Sequence, residues 1–229
     1  MEDVAAKLEE VRARIVEAAR RGGHDPGKIT LVAVTKGVEP ERIRAAWEAG
    51  VTDWGENRVQ EAARKRPQVP AAMRLHLIGT LQRNKAARAL ELAGLIHSLD
   101  RLSLARELER SGSARQVAVR VLVQVNTSGE AAKHGVSPAE LPRFLESLRD
   151  LSHVAVEGLM TIGPREGGEP ASRACFAALR ELAAAVRQEG FPWIRMEHLS
   201  MGMSADYATA VEEGADLVRI GTAIFGRRA

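Results

Sequence analysis

The chain has 229 residues, of which 45% are hydrophobic, 28% charged and 3% aromatic, and its formal net charge is +3. This composition predicts one folded domain over residues 1–229 and excludes a disordered chain. Positive and negative charges are interspersed and aromatic side chains are scarce, so we expect no nucleic-acid partner. No apolar run approaches the length of a membrane span, and the charged N-terminus is typical of neither a signal peptide nor an anchor.

Cysteine and histidine usage narrows the cellular setting. Cys175 is the single cysteine, so no internal disulfide can form, as is typical of the reducing cytosol. The six histidines show no spacing suited to a metal site. We therefore expect a cytoplasmic protein with neither a metal nor a membrane partner, and we expect it to be a monomer.

The first predicted element is an amphipathic helix over residues 2–21. Apolar residues recur there at steps of three and four, and Gly22 and Gly23 follow as a stop signal. The residues on this apolar face are Val4, Leu8, Val11, Ile15 and Ala18.

Short apolar runs then alternate with helical patterns along the rest of the chain. Several runs are apolar on both faces, as strands of a parallel sheet are. Both an open doubly wound sheet and a closed barrel satisfy this alternation. Eight runs, the chain length and the absence of a GxGxxG motif after the first run favour a (β/α)8 TIM barrel with an extra N-terminal helix. The runs are 29–35, 52–55, 75–78, 95–98, 117–125, 154–160, 194–199 and 217–220, and helical patterns include 40–49, 84–93, 138–148 and 172–189.

Lys36 closes the first strand, at the end of the barrel where active sites are built. The two long connections, 126–135 and 161–170, also follow strands and are expected at this mouth. Partial desolvation there would favour a free amine that can attack an aldehyde. The alternative is an ordinary strand-end lysine that reaches solvent.

Two strand-to-helix turns predict an anion site. The turn at 200–204 (SMGMS) follows the seventh run, and the turn at 219–222 (RIGT) follows the eighth. Small residues expose backbone N–H groups, hydroxyls add donors, and barrel phosphate sites frequently lie at these two loops. Either segment alone is a common turn sequence.

Arg219 lies inside the last predicted strand, where a charge requires a polar partner. If it points into the mouth, it can donate a hydrogen bond to a ring nitrogen, as arginine does to the pyridine nitrogen of pyridoxal 5′-phosphate (PLP). Because arginine keeps its proton, that nitrogen would stay unprotonated and the ring would be a weak electron sink. The alternative is an arginine on the outer face, paired with a helix carboxylate.

The chain resembles the PLP homeostasis protein family, also called the YggS/PROSC-type PLP-binding proteins, over nearly its whole length. The resemblance implies a barrel like the N-terminal domain of alanine racemase, with PLP held as a Schiff base on Lys36. It further implies a phosphate site at Ser200, Met201, Gly202, Gly221 and Thr222, with Arg219 at the pyridine nitrogen and Asn57 nearby. The motifs are LVAVTK (31–36), WGENRVQE (54–61), HLIGTLQRNK (76–85), VNTSGEAAKHG (125–135), GLMTIG (158–163), LSMGMSADY (199–207) and VRIGTAIFG (218–226).

The resemblance to alanine racemase also points to what catalysis would need. That enzyme uses a tyrosine from an additional C-terminal domain, and we expect no such domain here because the sequence ends at Ala229, just after the barrel closes. Tyr207 is predicted to start a helix, and His76 and His198 are typical of satisfied strand histidines. We therefore expect a non-catalytic protein that stores PLP and delivers it to apoenzymes, with no catalytic residue. The alternatives are a single-domain PLP-dependent racemase or lyase, and a barrel for another phosphorylated metabolite.

Overall fold

The structure, a computed structural model, describes residues 2–226. Its eight parallel strands form a closed barrel in chain order, and β8 pairs with β1. The closed barrel confirms the predicted fold and excludes the open sheet. The strands are β1 (Thr30–Val34), β2 (Asp53–Glu56), β3 (Arg74–Leu77), β4 (Leu95–Leu99), β5 (Val119–Gln124), β6 (Val154–Met160), β7 (Ile194–Ser200) and β8 (Leu217–Ile220).

Helices follow the strands and cover the outside of the barrel. The predicted N-terminal helix is present, and all five residues of its predicted apolar face are buried. It packs against the second, eighth and ninth helices, so it covers the side of the barrel where the first and last strands pair. The helices are α1 (Glu2–Gly22), α2 (Pro40–Glu48), α3 (Val59–Lys65), α4 (Ala86–Leu90), α5 (Leu102–Arg115), α6 (Leu141–Glu146), α7 (Gly168–Glu189), α8 (Tyr207–Glu212) and α9 (Thr222–Phe225).

Two predicted helices are shorter in the structure than their patterns. The pattern at 138–148 divides into a 3-10 turn, Pro138–Glu140, followed by α6. Pro142 lacks an N–H group and fits only the first turn of an α-helix, so α6 begins beside it. The pattern at 84–93 likewise begins with a 3-10 turn, Arg83–Lys85, before α4.

Two apolar cores hold the barrel together. The larger core lies between strands and helices, where the outward-facing strand residues meet the apolar helix faces. The smaller core is formed by strand residues separated from it, as expected for side chains that fill the inside of a barrel. Its buried members are Val32, Leu95, Leu122, Met160 and Leu217.

Two kinds of feature are absent from residues 2–226. No helix there is long and apolar enough to cross a membrane. No group of three or more histidine, cysteine, aspartate or glutamate side chains there could hold a metal ion.

Candidate functional site

A cavity of about 1150 Å³ opens at the C-terminal ends of the strands. Residues at or after seven of the eight strands line it, and both long connections contribute, through Lys133 in the first and Arg165 in the second. The prediction that these connections lie at the barrel mouth is therefore confirmed. Of the predicted site residues, the structure brings together Lys36, Asn57, Arg219, Gly221 and Thr222 on this cavity.

The cavity wall is strongly cationic. Five lysine and arginine side chains line it, and no aspartate or glutamate is among its lining residues within 2–226. Lys133 is paired with Glu130, which lies outside the wall, at 2.9 Å. The wall as a whole is still positively charged, so it favours a negatively charged ligand. The five side chains are Lys36, Arg42, Lys133, Arg165 and Arg219.

Lys36 lies in a tight turn directly after β1. The N–H of Val38 donates to the carbonyl oxygen of Thr35 at 2.9 Å, which closes the turn. Gly37 occupies its third position with φ +68°, a conformation that glycine adopts without strain. The side chain of Lys36 is partly buried and lines the cavity, so this turn determines where its amine is presented.

Arg219 points into the barrel, and the outward alternative is excluded. It is 4% exposed, and its two guanidinium bonds go to neutral oxygens, Ser200 Oγ at 2.5 Å and the carbonyl of Thr161 at 2.8 Å. Burial lowers the pKa of Arg219 to about 10, opposed by the charge of Asp206. The guanidinium therefore remains protonated near neutral pH and keeps donor hydrogens for a ligand.

A chain of hydrogen-bonded side chains inside the barrel holds Arg219 in place. Ser200 Oγ lies 2.9 Å from His97 Nδ1, and His97 Nε2 lies 2.9 Å from His76 Nδ1. His76 Nε2 lies 2.8 Å from Asp53 Oδ1. Burial, then the charges of His76 and Arg219, keep the pKa of His97 well below its ordinary value, so His97 is neutral. Every group is satisfied if each member of the chain donates to the next: Arg219 to Ser200, Ser200 to His97, His97 to His76, and His76 to Asp53.

Three residues predicted for the phosphate do not line the cavity. Ser200 and Met201 are fully buried, and the hydroxyl of Ser200 is engaged in the chain just described. Gly202 has φ +88°, and a Cβ there would lie 2.5 Å from the Cβ of Ala210. Gly202 therefore serves close packing of the loop on α8.

Ser204 supplies the hydroxyl that Ser200 does not. It lines the cavity, and its Oγ accepts hydrogen bonds from the N–H groups of Gly221 and Ala223, both at 3.2 Å. The loops after β7 and β8 are thus joined at the wall that carries Thr222. Sequence reasoning identified this loop but selected its first serine; strand β7 continues through Ser200, which turns that side chain into the barrel.

Close backbone packing fixes the remaining predicted residues. A Cβ on Gly79 would lie 2.4 Å from the carbonyl oxygen of Asn57, so the loops after β2 and β3 approach only because residue 79 is glycine. A Cβ on Gly221 would lie 3.2 Å from the carbonyl oxygen of Val34. These contacts hold Asn57 and Gly221 at the same mouth as Lys36.

The other residues singled out in the sequence lie outside the cavity lining. His76 is buried within the polar chain, and His198 lies beside Asp216, whose hydrogen bond raises its pKa. Tyr207 begins α8 as predicted and is buried. Cys175 is buried in α7, and burial raises the pKa of its thiol. His134 is the histidine on the cavity wall, in the loop after β5, and its side chain is 68% exposed.

Comparison with known proteins places this geometry in a family. Residues 7–229 match the alanine racemase N-terminal domain. The chain is 39% identical over its full length, and over 97% of the other chain, to the pyridoxal phosphate homeostasis protein of Pseudomonas aeruginosa. It belongs to the pyridoxal phosphate homeostasis protein family. Another family member, from Aquifex aeolicus, is 40% identical over 97% of both chains.

Solved structures agree with this assignment. PipY of Synechococcus elongatus, determined with PLP bound, is 35% identical, has a TM-score of 0.85, and is covered completely by 97% of this chain. Its structure without PLP has a TM-score of 0.87 at 36% identity. Alanine racemase of Clostridium difficile is 14% identical with a TM-score of 0.77, and this chain covers 56% of it. That last likeness shows that this chain shares the barrel fold of alanine racemase.

Proposed function

We propose that this protein binds PLP in the mouth cavity, covalently on Lys36, as a single PLP-binding barrel domain. We further propose that it stores the cofactor inside the cell and delivers it to apoenzymes. The observation that carries the proposal is a lysine presented by a tight turn on a cavity wall with five cations and no lining carboxylate within residues 2–226. The names of the relatives and the PLP-bound PipY structure support it.

The residues present fit this cofactor. PLP carries an aldehyde, a phosphate and a pyridine nitrogen, and it reacts reversibly with primary amines through the aldehyde. Lys36 is the amine on the wall, and Ser204, Thr222 and the backbone of Gly221 lie together at the anion-binding loops. Arg219 is a buried cation whose two hydrogen bonds go to neutral oxygens, which leaves it electrostatically available to the ligand.

Each residue then has a defined task. Lys36 Nζ forms a double bond to the aldehyde carbon, and the aldehyde oxygen leaves as water with the two amine protons. The hydroxyls of Thr222 and Ser204 hold the phosphate with neutral donors, while the cationic wall attracts it. The N–H groups of Gly221 and Ala223 donate to Ser204 Oγ and fix that hydroxyl in place. Arg219 donates to the pyridine nitrogen, and Asn57 completes the wall beside it.

The remaining predicted phosphate residues support this wall indirectly. Ser200 orients Arg219 by accepting one of its hydrogen bonds, and Gly202 allows the loop after β7 to pack on α8. Met201 anchors the start of that loop, because its N–H donates to the carbonyl of Leu217 at 3.1 Å.

This arrangement favours storage of the cofactor over robust turnover. Arg219 cannot supply a proton readily, so the ring nitrogen stays unprotonated and stabilises a carbanion poorly. His134 is the histidine on the wall, and it lies on a largely exposed loop position. A positioned general acid or base is typically worth roughly 10²–10⁴-fold in rate, and the cavity lining within residues 2–226 includes no aspartate, glutamate or buried histidine.

The test combines binding and turnover. The wild-type protein, titrated with PLP, is expected to gain visible absorbance that Lys36→Ala lacks. Racemisation, transamination and elimination of the common amino acids, with saturating PLP, are expected to stay far below about 1 s⁻¹, the low end of ordinary enzymes. A Lys36→Ala protein with the wild-type spectrum would contradict the binding proposal. A turnover at or above that rate, abolished by Lys36→Ala, would contradict the storage role and favour a racemase or lyase.

A further inference from the structure

Lys65 is the buried lysine of this chain. It ends α3, and its side chain is 3% exposed, whereas the other five lysines are partly or fully exposed. Its ammonium has three donor hydrogens, and three oxygens surround it. They are the carbonyl of Thr35 at 2.6 Å, Glu56 Oε1 at 2.8 Å and Glu61 Oε1 at 2.8 Å. The group formed by Thr35, Glu56, Glu61 and Lys65 is called the lysine cluster below.

The lysine cluster holds the backbone on both sides of Lys36. On one side, Thr35 is fixed three times: its carbonyl accepts from Lys65, its hydroxyl donates to Glu56 Oε1 at 2.7 Å, and its N–H donates to the carbonyl of Gly55 at 3.0 Å. On the other side, the N–H of Gly37 donates to Glu61 Oε1 at 2.7 Å. The two peptides that flank Lys36 are therefore tied to one buried ammonium.

The charges of the lysine cluster are interdependent. Burial raises the pKa of Glu56, and the hydrogen bonds from Lys65 and Thr35 oppose that effect. Burial acts the same way on Glu61, but the hydrogen bonds from Lys65 and the N–H of Gly37 outweigh it and lower its pKa. A buried cation with two carboxylates is costly to assemble and is weak evidence for stability. The lysine cluster instead holds the backbone next to Lys36, which indicates a role in positioning that residue.

We propose that Lys65 is a positioning residue that holds the Lys36 turn in the geometry required for bonding to the cofactor aldehyde. Lys65 does not line the cavity, so it acts through Thr35, Glu61 and the turn. A misplacement of about 1 Å in a reacting group can cost on the order of 10²-fold, so a rigid turn matters more for bond formation than for phosphate binding. This inference rests on the proposed function, and the experiment separates the two.

The experiment compares PLP with pyridoxine 5′-phosphate, which carries an alcohol in place of the aldehyde. Both can occupy the phosphate loops, but only PLP can bond to Lys36. Calorimetry on the full chain gives a Kd for each ligand. The Kd of pyridoxine 5′-phosphate divided by the Kd of PLP, called the ratio below, measures the contribution of the covalent bond. In wild type, pyridoxine 5′-phosphate is expected to bind more weakly than PLP.

Lys65→Met removes all three bonds of the ammonium. It is expected to weaken PLP binding roughly 10- to 100-fold, while pyridoxine 5′-phosphate binding changes less than about 2-fold. Glu61→Ala frees the peptide of Gly37 and is expected to reduce the ratio by roughly 3- to 10-fold. Glu61→Gln keeps an acceptor oxygen and is expected to restore the wild-type ratio.

Leu108→Ala is the matched control for lost stability. Leu108 is fully buried in α5, away from the cavity, so its truncation destabilises the fold without touching the turn. It is expected to leave the ratio of the two constants unchanged. If Lys65→Met does not fold, the comparison of Glu61→Ala with Glu61→Gln decides.

An unchanged ratio in both Lys65→Met and Glu61→Ala would overturn the positioning role, as would equal weakening of both ligands. A wild-type protein that binds the two ligands equally would instead overturn covalent binding on Lys36, and with it the proposed function. The two failures are therefore distinct.

Discussion

The two ends of the barrel differ in how their charged side chains are arranged. At the N-terminal end, Arg74 forms two hydrogen bonds with Asp53, at 2.8 and 2.7 Å, and Arg120 donates to Glu157 at 2.7 Å. At the C-terminal mouth, five cations line a cavity that has no carboxylate in its wall within residues 2–226. Of these five cations, Lys133 has a carboxylate partner, Glu130, outside the wall. The positive charge of the wall as a whole attracts anions. The mouth is therefore arranged for a ligand, and the opposite end is arranged for stability.

The phosphate is the sharpest probe of the mouth. Pyridoxal, which lacks the phosphate, is expected to bind at least roughly 100-fold more weakly than PLP, because several charge-assisted hydrogen bonds are lost. The affinity for PLP is also expected to fall as salt is raised, since salt screens the exposed part of the cationic wall. Absorbance titrations at two salt concentrations measure both effects. Equal affinities for pyridoxal and PLP would mean that the wall does not recognise phosphate.

A substitution at the opposite end is expected to change stability far more than affinity. Asp53 is 1% exposed and accepts from Arg74, His76 and Thr52. Asp53→Ala leaves these donors without their acceptor, and we expect a loss of about 3 kcal/mol in the free energy of unfolding. Urea denaturation measures that loss. Asp53 reaches Arg219 only through two histidines and Ser200. The Kd for PLP, measured below the unfolding midpoint, should therefore stay within about 3-fold of wild type, less than the loss of one direct hydrogen bond; a larger increase would contradict the separation of the two ends.

Acid is expected to remove the contribution of Asp53 to the stability of the N-terminal end. Burial alone would raise the pKa of Asp53, but the hydrogen bonds from His76 and Arg74 outweigh it and hold the pKa well below its ordinary value. The stability from Asp53 is therefore complete above the unfolded-state pKa of about 3.9 and is lost as pH falls towards the folded-state value. Below about pH 4, the free energy of unfolding of wild type should fall more steeply than that of Asp53→Asn. If the free energy of unfolding fell equally steeply with pH in both proteins, Asp53 would not be the group responsible.

The smallest expected effect belongs to one hydroxyl at the mouth. Thr222→Ala should weaken PLP binding by about 1 kcal/mol, the usual size of one hydrogen bond, or somewhat more for a charged acceptor. Thr222→Ser keeps the hydroxyl and should bind PLP nearly as well as wild type. The pair is compared by the same titration, and equal losses in both variants would show that the hydroxyl is not the group that matters.

The alternation of apolar runs with helical patterns, together with the count of eight runs and the chain length, predicted the barrel. Strands β6 and β8 begin and end where their apolar runs predict, and α1 buries every residue of its predicted face. These elements are determined by local pattern and burial, which a sequence displays directly. The start of α6 differs because Pro142 restricts where an α-helix can begin.

Site residues whose position depends only on the end of a strand were predicted correctly to lie at the mouth. Residues whose position depends on contacts between distant segments were not. Lys36, Arg219 and Thr222 lie at or after strand ends, and each lines the cavity. Ser200 differs because β7 extends through it and directs its hydroxyl towards His97 and Arg219. For Lys65 the sequence displays only the i,i+4 pair with Glu61. Its bonds to Glu56 and Thr35, nine and thirty residues away, depend on how the chain folds.

The most direct measurement of the central claim locates the cofactor on the chain. The protein is mixed with one equivalent of PLP, reduced with borohydride, digested, and mapped by mass spectrometry across its six lysines. The label is expected on the peptide that contains Lys36 in wild type, and that peptide should lose it in Lys36→Ala. An unlabelled Lys36 in a wild-type protein that carries the cofactor on another lysine would contradict the account.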